Sequence, residues 1–496
     1  MLRRQALIAS VVAILSLSPV AVAVAAGSAP DGYEIVAKHG VAAELEHRTL
    51  RSKGPDQVVH LTKITKDGPY ALRTVMSNDS VVGTPGLERT SSMCKRIDCL
   101  IAINGDFAMP GTREPVGGAV SLGEPLRSPN GRHHQLVIGP DGTLSAGTMR
   151  WSARLVATDL RGIEIDGVNV PRTADRLVLY TPANGPTTGT NPHGVEMPLK
   201  IKAPADTIRL DTTAAVRLGK LTKGGNSKIP TAGAVLSGHG AGADALRDLV
   251  ERIGSKDAGP DALLRIESDP KVSESVGGSP VLVRDGKRWF SNDPTAFVRG
   301  RHPRTVVGWT PDGDVLLVTV DGRQPGYSQG MSLAEVADLM IGLGVTEAIN
   351  LDGGGSTTFV VRGDVVNKPS DRLIVSDGRV QISATGSGDR VKGYLERPVV
   401  SALAVVPKNM IALDPAPAPT ADDITLPQAL ALPVPMAADP ASDPTGALPA
   451  VVSVEPASDE RTVLILVASL AAATVVLAFG LDRARATRRE LTRPGA

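Results

Sequence analysis

The chain has 496 residues, of which 42% are hydrophobic, 21% charged and only 3% aromatic, and its formal net charge is +1. That balance leaves no basic field for nucleic acid, so no nucleic-acid partner is expected. It suits a core of Val, Leu, Ile and Ala, and the 52 Gly and 38 Pro residues predict frequent turns.

Met1 to Ala26 reads as a secretory signal peptide. Arg3 and Arg4 supply the positive end, Ala6 to Val24 the apolar stretch, and Ala23-Val24-Ala25 the small-residue close. Ser16, Ser18 and Pro19 interrupt the run, which favours cleavage over a permanent anchor. Residues 27–408 then read as one extracytoplasmic domain. Its only cysteines, Cys94 and Cys99, are expected to form a local disulfide in an oxidising compartment.

Short apolar runs bounded by Gly, Asp, Asn and Pro predict strands at Leu100–Ile103, Gln135–Ile138, Leu177–Tyr180, Pro280–Val283, Val315–Val320 and Phe359–Val361. Pro-Asp-Gly at 140–142 and 311–313 predicts hairpin turns. Two helices are marked. Ala243–Ile253 carries Leu246, Leu249, Val250 and Ile253 on one face. Ser332–Leu343 opens on a capping box, Ser332 with Glu335, and stops at Gly344. Strand, helix and strand over 314–351 predict a crossover with parallel strands. Asp321 and Asp352 then end two strands at one sheet edge. The expected class is α+β: a strand-rich mixed sheet with flanking helices, an N-terminal signal peptide and one C-terminal transmembrane helix.

From Asn409 to Glu460 the chain has no Lys or Arg and Pro recurs, so 409–462 reads as an extended, weakly acidic stalk. Val463 to Leu481 is an uncharged apolar run. At about 1.5 Å per residue it spans about 28 Å, enough for a bilayer core. Arg483, Arg485, Arg488, Arg489 and Arg493 follow, so 482–496 reads as a cytoplasmic tail. The expected location is the cell membrane, with one span and the domain outside.

Three motifs carry chemistry. Asn350-Leu351-Asp352-Gly353-Gly354-Gly355-Ser356-Thr357-Thr358 sets three glycines after a strand-end carboxylate. Its amides and hydroxyls suit an anion cradle, and a plain glycine turn is the alternative. Asn104-Gly105-Asp106 follows an apolar strand, and Arg301-His302-Pro303-Arg304-Thr305 precedes another. An Arg fork fits a phosphodiester, although such residues are commonly turn or solvated. His133-His134 lacks zinc spacing, and no Gly-x-Ser-x-Gly elbow marks a serine hydrolase.

Together these segments resemble the phosphodiester glycosidase family. Ala102-Ile103-Asn104-Gly105-Asp106-Phe107, Val276-Gly277-Gly278-Ser279-Pro280-Val281-Leu282-Val283, His302-Pro303-Arg304-Thr305 and Val320-Asp321-Gly322-Arg323 come in the family's order. Leu351-Asp352-Gly353-Gly354-Gly355-Ser356-Thr357-Thr358, Val366-Asn367-Lys368-Pro369-Ser370-Asp371 and Arg397-Pro398-Val399-Val400-Ser401-Ala402-Leu403 follow. The resemblance covers about residues 95–405, and 151–269 is less recognisable. Ala108 stands where the family usually has a second aromatic, which implies a looser sugar pocket.

The resemblance implies hydrolysis of a sugar-1-phosphodiester in cell-envelope or exopolysaccharide glycans. Asp352 and Asp321 would divide acid, base or metal-ligand roles, and Asn104 and Asp106 would orient the sugar or the water. Arg304, Gly353, Gly354, Gly355, Ser356, Thr357 and Asn367 would hold the substrate. No cofactor is required, and Ca²⁺ or Mg²⁺ on Asp106, Asp321 and Asp352 is an option. Two rivals stay open: a non-catalytic module that binds phosphorylated glycans, and a phosphodiesterase acting on teichoic-acid-like ligands.

Overall fold

The computed structural model describes residues 29–411, with short breaks at 83–85, 158, 203–206, 255–260, 292, 377–378 and 384–389. The signal-peptide segment 1–26, the stalk beyond residue 411, the apolar run 463–481 and the tail 482–496 lie outside the described residues. Among those described, no helix is long and apolar enough to cross a membrane.

The strand Val315–Val320 shows how the sequence builds the centre. Its side chains alternate between two cores. Val315 and Leu317 join one cluster, and Leu316, Val318 and Val320 join the other. A strand covered on both faces reads as one apolar run, which is why the period-two signal is missing here. The neighbouring strand Arg304–Trp309 divides likewise, Val307 and Trp309 to one side and Val306 to the other. Both belong to an eight-stranded sheet in the order Tyr33–Ala42, Leu45–Ser52, Val58–Ile64, Val315–Val320, Arg304–Trp309, Glu347–Asn350, Val281–Arg284, Lys287–Arg288.

Helix Leu333–Gly342 covers one face of that sheet through Val336, Ala337 and Met340. It starts as the sequence predicts. The Ser332 hydroxyl accepts from the Glu335 amide at 3.2 Å, and the Glu335 carboxylate accepts from the Ser332 amide at 2.8 Å. The other face packs against two five-stranded sheets. Ile103, Phe359, Leu403 and Val405 come from one, and Leu136 and Val276 from the other. Residues 150–269 supply a nine-stranded sheet with its own core, against which helix Ala241–Ile253 packs Leu246 and Leu249.

The expected α+β class is corrected by this architecture. Among the described residues there are 32 strands and four α-helices, the longest of 13 residues, so the fold is mostly β. A nearly closed, barrel-like sheet replaces the helix-flanked mixed sheet, and no transmembrane helix forms part of it. The two best-marked helices drew attention out of proportion to their share of the chain. The crossover is also revised. Val315–Val320 and Glu347–Asn350 run the same way, but Arg304–Trp309 lies between them, antiparallel to both. Their carboxyl ends, and with them Asp321 and Asp352, still reach one edge. The start of the intervening strand brings Arg304 there too.

Candidate active site

Four chain segments meet at this edge. The Asp352 amide donates to the Gly105 carbonyl at 3.0 Å and the Leu351 amide to the Thr305 carbonyl at 2.8 Å. Asn104 clamps the junction. Its Nδ2 donates to the Asp352 carbonyl at 2.6 Å, while its Oδ1 accepts from the Thr305 hydroxyl at 2.8 Å and the Thr358 amide at 3.1 Å. Asn104 is fully buried and has its hydrogen bonds inside the protein. The geometry therefore gives it the work of joining segments.

Asp321 is buried as well, 1% exposed. Its carboxylate accepts from Asn367 Nδ2 at 2.9 Å, the Lys368 amide at 3.1 Å and the Tyr327 hydroxyl at 2.9 Å. His60 Nε2 lies 3.3 Å away, and His47 stands 3.1 Å behind it. Burial, then the neighbouring His60 and His39, lower the pKa of His47 to about 4, so this ring is neutral at ordinary pH. Asn367 passes the order on, accepting from the Phe359 amide at 2.8 Å and donating to the Thr357 carbonyl at 3.2 Å. Asp321 and Asn367 thus fasten the glycine segment from behind.

Asp352 is different. It is only partly buried. Desolvation raises its carboxyl to about 6; Ser356, Arg397 and the Gly353 amide pull it down, and Asp106 pushes it up. Asp106 is therefore close enough to act on it electrostatically. Asp106 accepts from the Phe107 amide and the Gly117 amide, each at 2.7 Å, and His133 Nε2 lies 3.3 Å from its Oδ1. A Cβ on Gly277 would lie 2.4 Å from that carboxylate, so the wall here has to be glycine.

The triple glycine closes the site. The turn uses much of its own hydrogen bonding: the Gly354 amide donates to the Pro303 carbonyl at 2.9 Å, and the Ser356 amide to the Gly353 carbonyl at 3.2 Å. What the glycines permit is close approach by arginines. Gly354 has φ 62°, and a Cβ there would lie 3.2 Å from Arg323 Nη2. A Cβ on Gly355 would lie 2.2 Å from Arg397 Nη2. Arg397 is held by Asp371 through two bonds of 2.8 and 3.0 Å. Two guanidinium groups therefore rest on the turn beside Asp352.

Arg304 does not take that position. It is 2% exposed and donates to the carbonyls of Met331, Phe297 and Gly300 at 2.8, 2.7 and 3.0 Å. Burial and the nearby charge of Arg323 lower it to about 9, so it stays protonated at neutral pH. Arg323 and Arg397 stood inside the quoted motifs without a role, because nothing local shows that they converge. His133 and His60 left no usable signal at all, since their partners lie 27 and 261 residues away. Among the described residues no group of three or more His, Cys, Asp or Glu is arranged to hold a metal. Asp106 and Asp321 direct their oxygens to internal donors. Cys94 and Cys99 are joined in a disulfide just before the strand Ile101–Asn104.

Residues 213–406 match the phosphodiester glycosidase family model. A relative from Bos taurus, N-acetylglucosamine-1-phosphodiester alpha-N-acetylglucosaminidase, is 43% identical over 119 residues. That is 21% of this chain and 22% of the bovine protein, so the chain matches about a fifth of that relative's length. A solved structure from Synechocystis, titled a hypothetical protein, aligns over 73% of this chain and 61% of its own, with a TM-score of 0.51 and 18% identity. Another from Burkholderia pseudomallei K96243 aligns over 71% and 74%, with a TM-score of 0.50 and 23% identity. These two show a shared fold alone. The motif resemblance is thus matched at the level of the family: over residues 213–406, which hold Asp321, Asp352, Arg323 and Arg397, the chain is similar to the phosphodiester glycosidases.

Proposed function

We propose that the domain hydrolyses a sugar-1-phosphodiester, with Asp352 as general acid and Arg323 and Arg397 as the phosphate clamp. One observation carries this reading: a partly exposed carboxyl whose pKa is lifted to about 6 lies beside two arginines on a glycine turn. At near-neutral pH such a group gives up a proton to a leaving oxygen and regains it readily. The guanidinium groups neutralise the negative charge of the phosphate. Asp106, 2% exposed and fixed by two amides, acts through its charge, which helps Asp352 keep its proton. His133 positions Asp106, and Asp321 with Asn367 positions the turn.

The substrate we propose is a cell-envelope or exopolysaccharide glycan, encountered outside the cytoplasm. The disulfide and the apolar leader support that location. The reading needs no divalent cation, and exhaustive chelation tests whether Ca²⁺ or Mg²⁺ takes part. The test is sugar release from an N-acetylglucosamine-1-phosphodiester by the parent and by Asp352→Asn, run in oxygen-18 water. Release by the parent alone, with label in the sugar, supports glycosidic cleavage. Label in the phosphate makes the protein a phosphodiesterase. Binding without release by the parent makes it a binding module.

A further inference from the structure

A cavity of about 560 Å³ lies away from the Asp352 turn, within the usual range of ligand sites of roughly 300–1,000 Å³. Its walls come from three places. The edge strand Tyr70–Met76 gives Arg73 and Met76, the hairpin at 119–127 gives Glu124 and Leu126, and the 150–269 lobe gives Pro182 and Arg209.

A buried carboxyl that is not itself in the lining ties two of the walls together from behind. Glu274 is 3% exposed and accepts from the Thr74 amide at 2.8 Å and the Leu122 amide at 2.7 Å. The Ser121 hydroxyl adds a bond to the Thr74 carbonyl at 2.8 Å. Arg209 Nη1 donates to the Leu122 carbonyl at 2.7 Å and so joins the lobe to the hairpin. Arg73, by contrast, keeps a buried Nε without a hydrogen-bond partner among the described residues. An atom closed to solvent is closed to a ligand as well, so Arg73 offers the cavity only the exposed part of its side chain.

The lining selects the chemistry. Arg73 and Arg209 offer donors, Glu124 offers acceptors, and Val75, Met76, Leu126, Pro182 and Ala183 offer apolar surface. An anion would meet Glu124, and a cation would meet the two arginines. A purely apolar ligand would take water from Arg73, Arg209 and Glu124 and give them no partner in return. A neutral polyol with a C–H face satisfies every wall, since each hydroxyl both donates and accepts. We propose that this cavity is a saccharide-binding site for one or two neutral sugar units, separate from the Asp352 centre. The short strand Glu274–Gly277 links them. Glu274 underlies the cavity and Gly277 packs on Asp106, about 10 Å away at roughly 3.3 Å per residue. A glycan long enough to span that separation over the surface would engage both. That last step rests on the function proposed above; binding of a sugar in the cavity does not.

The test is saturation-transfer NMR with N,N'-diacetylchitobiose on the full chain, for the parent, Asp352→Asn, Arg209→Ala and Thr207→Trp, Thr207 being a further residue of the cavity lining. Each variant's fold is checked by circular dichroism. Millimolar binding that persists in Asp352→Asn and weakens about fivefold or more in both cavity variants supports the site, fivefold being about the worth of one hydrogen bond. Failure of the Asp352 reading would leave this result standing. Loss of binding in Asp352→Asn with none in the folded cavity variants would overturn it, as would no signal from the parent. Stronger binding of glucuronate or glucosamine than of the neutral sugar would overturn the assignment to neutral saccharides.

Discussion

Asp321 and Asp352 end two strands of one sheet, run in one direction, and sit in nearly the same local sequence, Val-Asp-Gly and Leu-Asp-Gly. Their fates differ. Asp321 is buried among the donors of Asn367, Lys368, Tyr327 and His60, all supplied by other segments. Asp352 lies in a partly open place with Asp106 beside it and its pKa raised to about 6. A strand-end aspartate becomes a fastener or a proton carrier according to what the rest of the chain brings to it. Local sequence does not decide which.

The sharpest way to break this comparison is to neutralise each carboxyl in turn. Asp352→Asn should lower turnover of a sugar-1-phosphodiester by about 10²–10⁴-fold, the usual worth of a general acid. The same change should not destabilise the fold. The folded pKa is raised above 3.8, so the charged form is disfavoured, and this group's contribution to stability falls as pH rises from about 4 to 6. Removing the charge should therefore raise stability at pH 7 by about 1–2 kcal/mol, after a discount for its partial exposure. Asp321→Asn should do the reverse. It leaves buried donors unpaired and should cost about 2–4 kcal/mol, read as a lower midpoint in thermal or urea unfolding. Below that midpoint its activity should keep the parent's pH dependence. A stable Asp321→Asn with a displaced pH profile would mean the two roles have been exchanged.

Smaller effects sharpen the picture. Gly355→Ala places a methyl against Arg397 and Asp371 and should raise KM about tenfold with little change in kcat, since it disturbs substrate binding. Gly86→Ala, with nothing within 4 Å, serves as the control. Exhaustive chelation should leave the rate unchanged, and a loss restored by Ca²⁺ or Mg²⁺ would require ligands from the substrate.

Much of the edge was legible beforehand. Four of the six apolar runs read as strands lie wholly in strands, the runs from Leu100 and Pro280 begin one residue early, and the cap of helix Leu333–Gly342 is present in full. The edge position of Asp321 and Asp352 followed from strand direction, while Arg304 reaches that edge only because its strand runs antiparallel between theirs. The fold class did not, because strand order in a sheet depends on long-range pairing. Arg304–Trp309 inserts between two strands whose linking helix suggested they were neighbours. Side-chain roles were hardest. Arg304 and Arg397 are both arginines beside prolines in motif segments, yet one is buried on carbonyls and the other lies over a glycine. Only the packed fold separates them.

The most direct test of the central claim is the pH dependence of kcat/KM for an N-acetylglucosamine-1-phosphodiester. Asp352 must hold its proton to act as the acid, so the rate should fall as pH rises through about 6, and Asp352→Asn should have no measurable limb there. A parent profile that is flat across pH 6, or an Asp352→Asn variant with the parent's rate, would contradict the account.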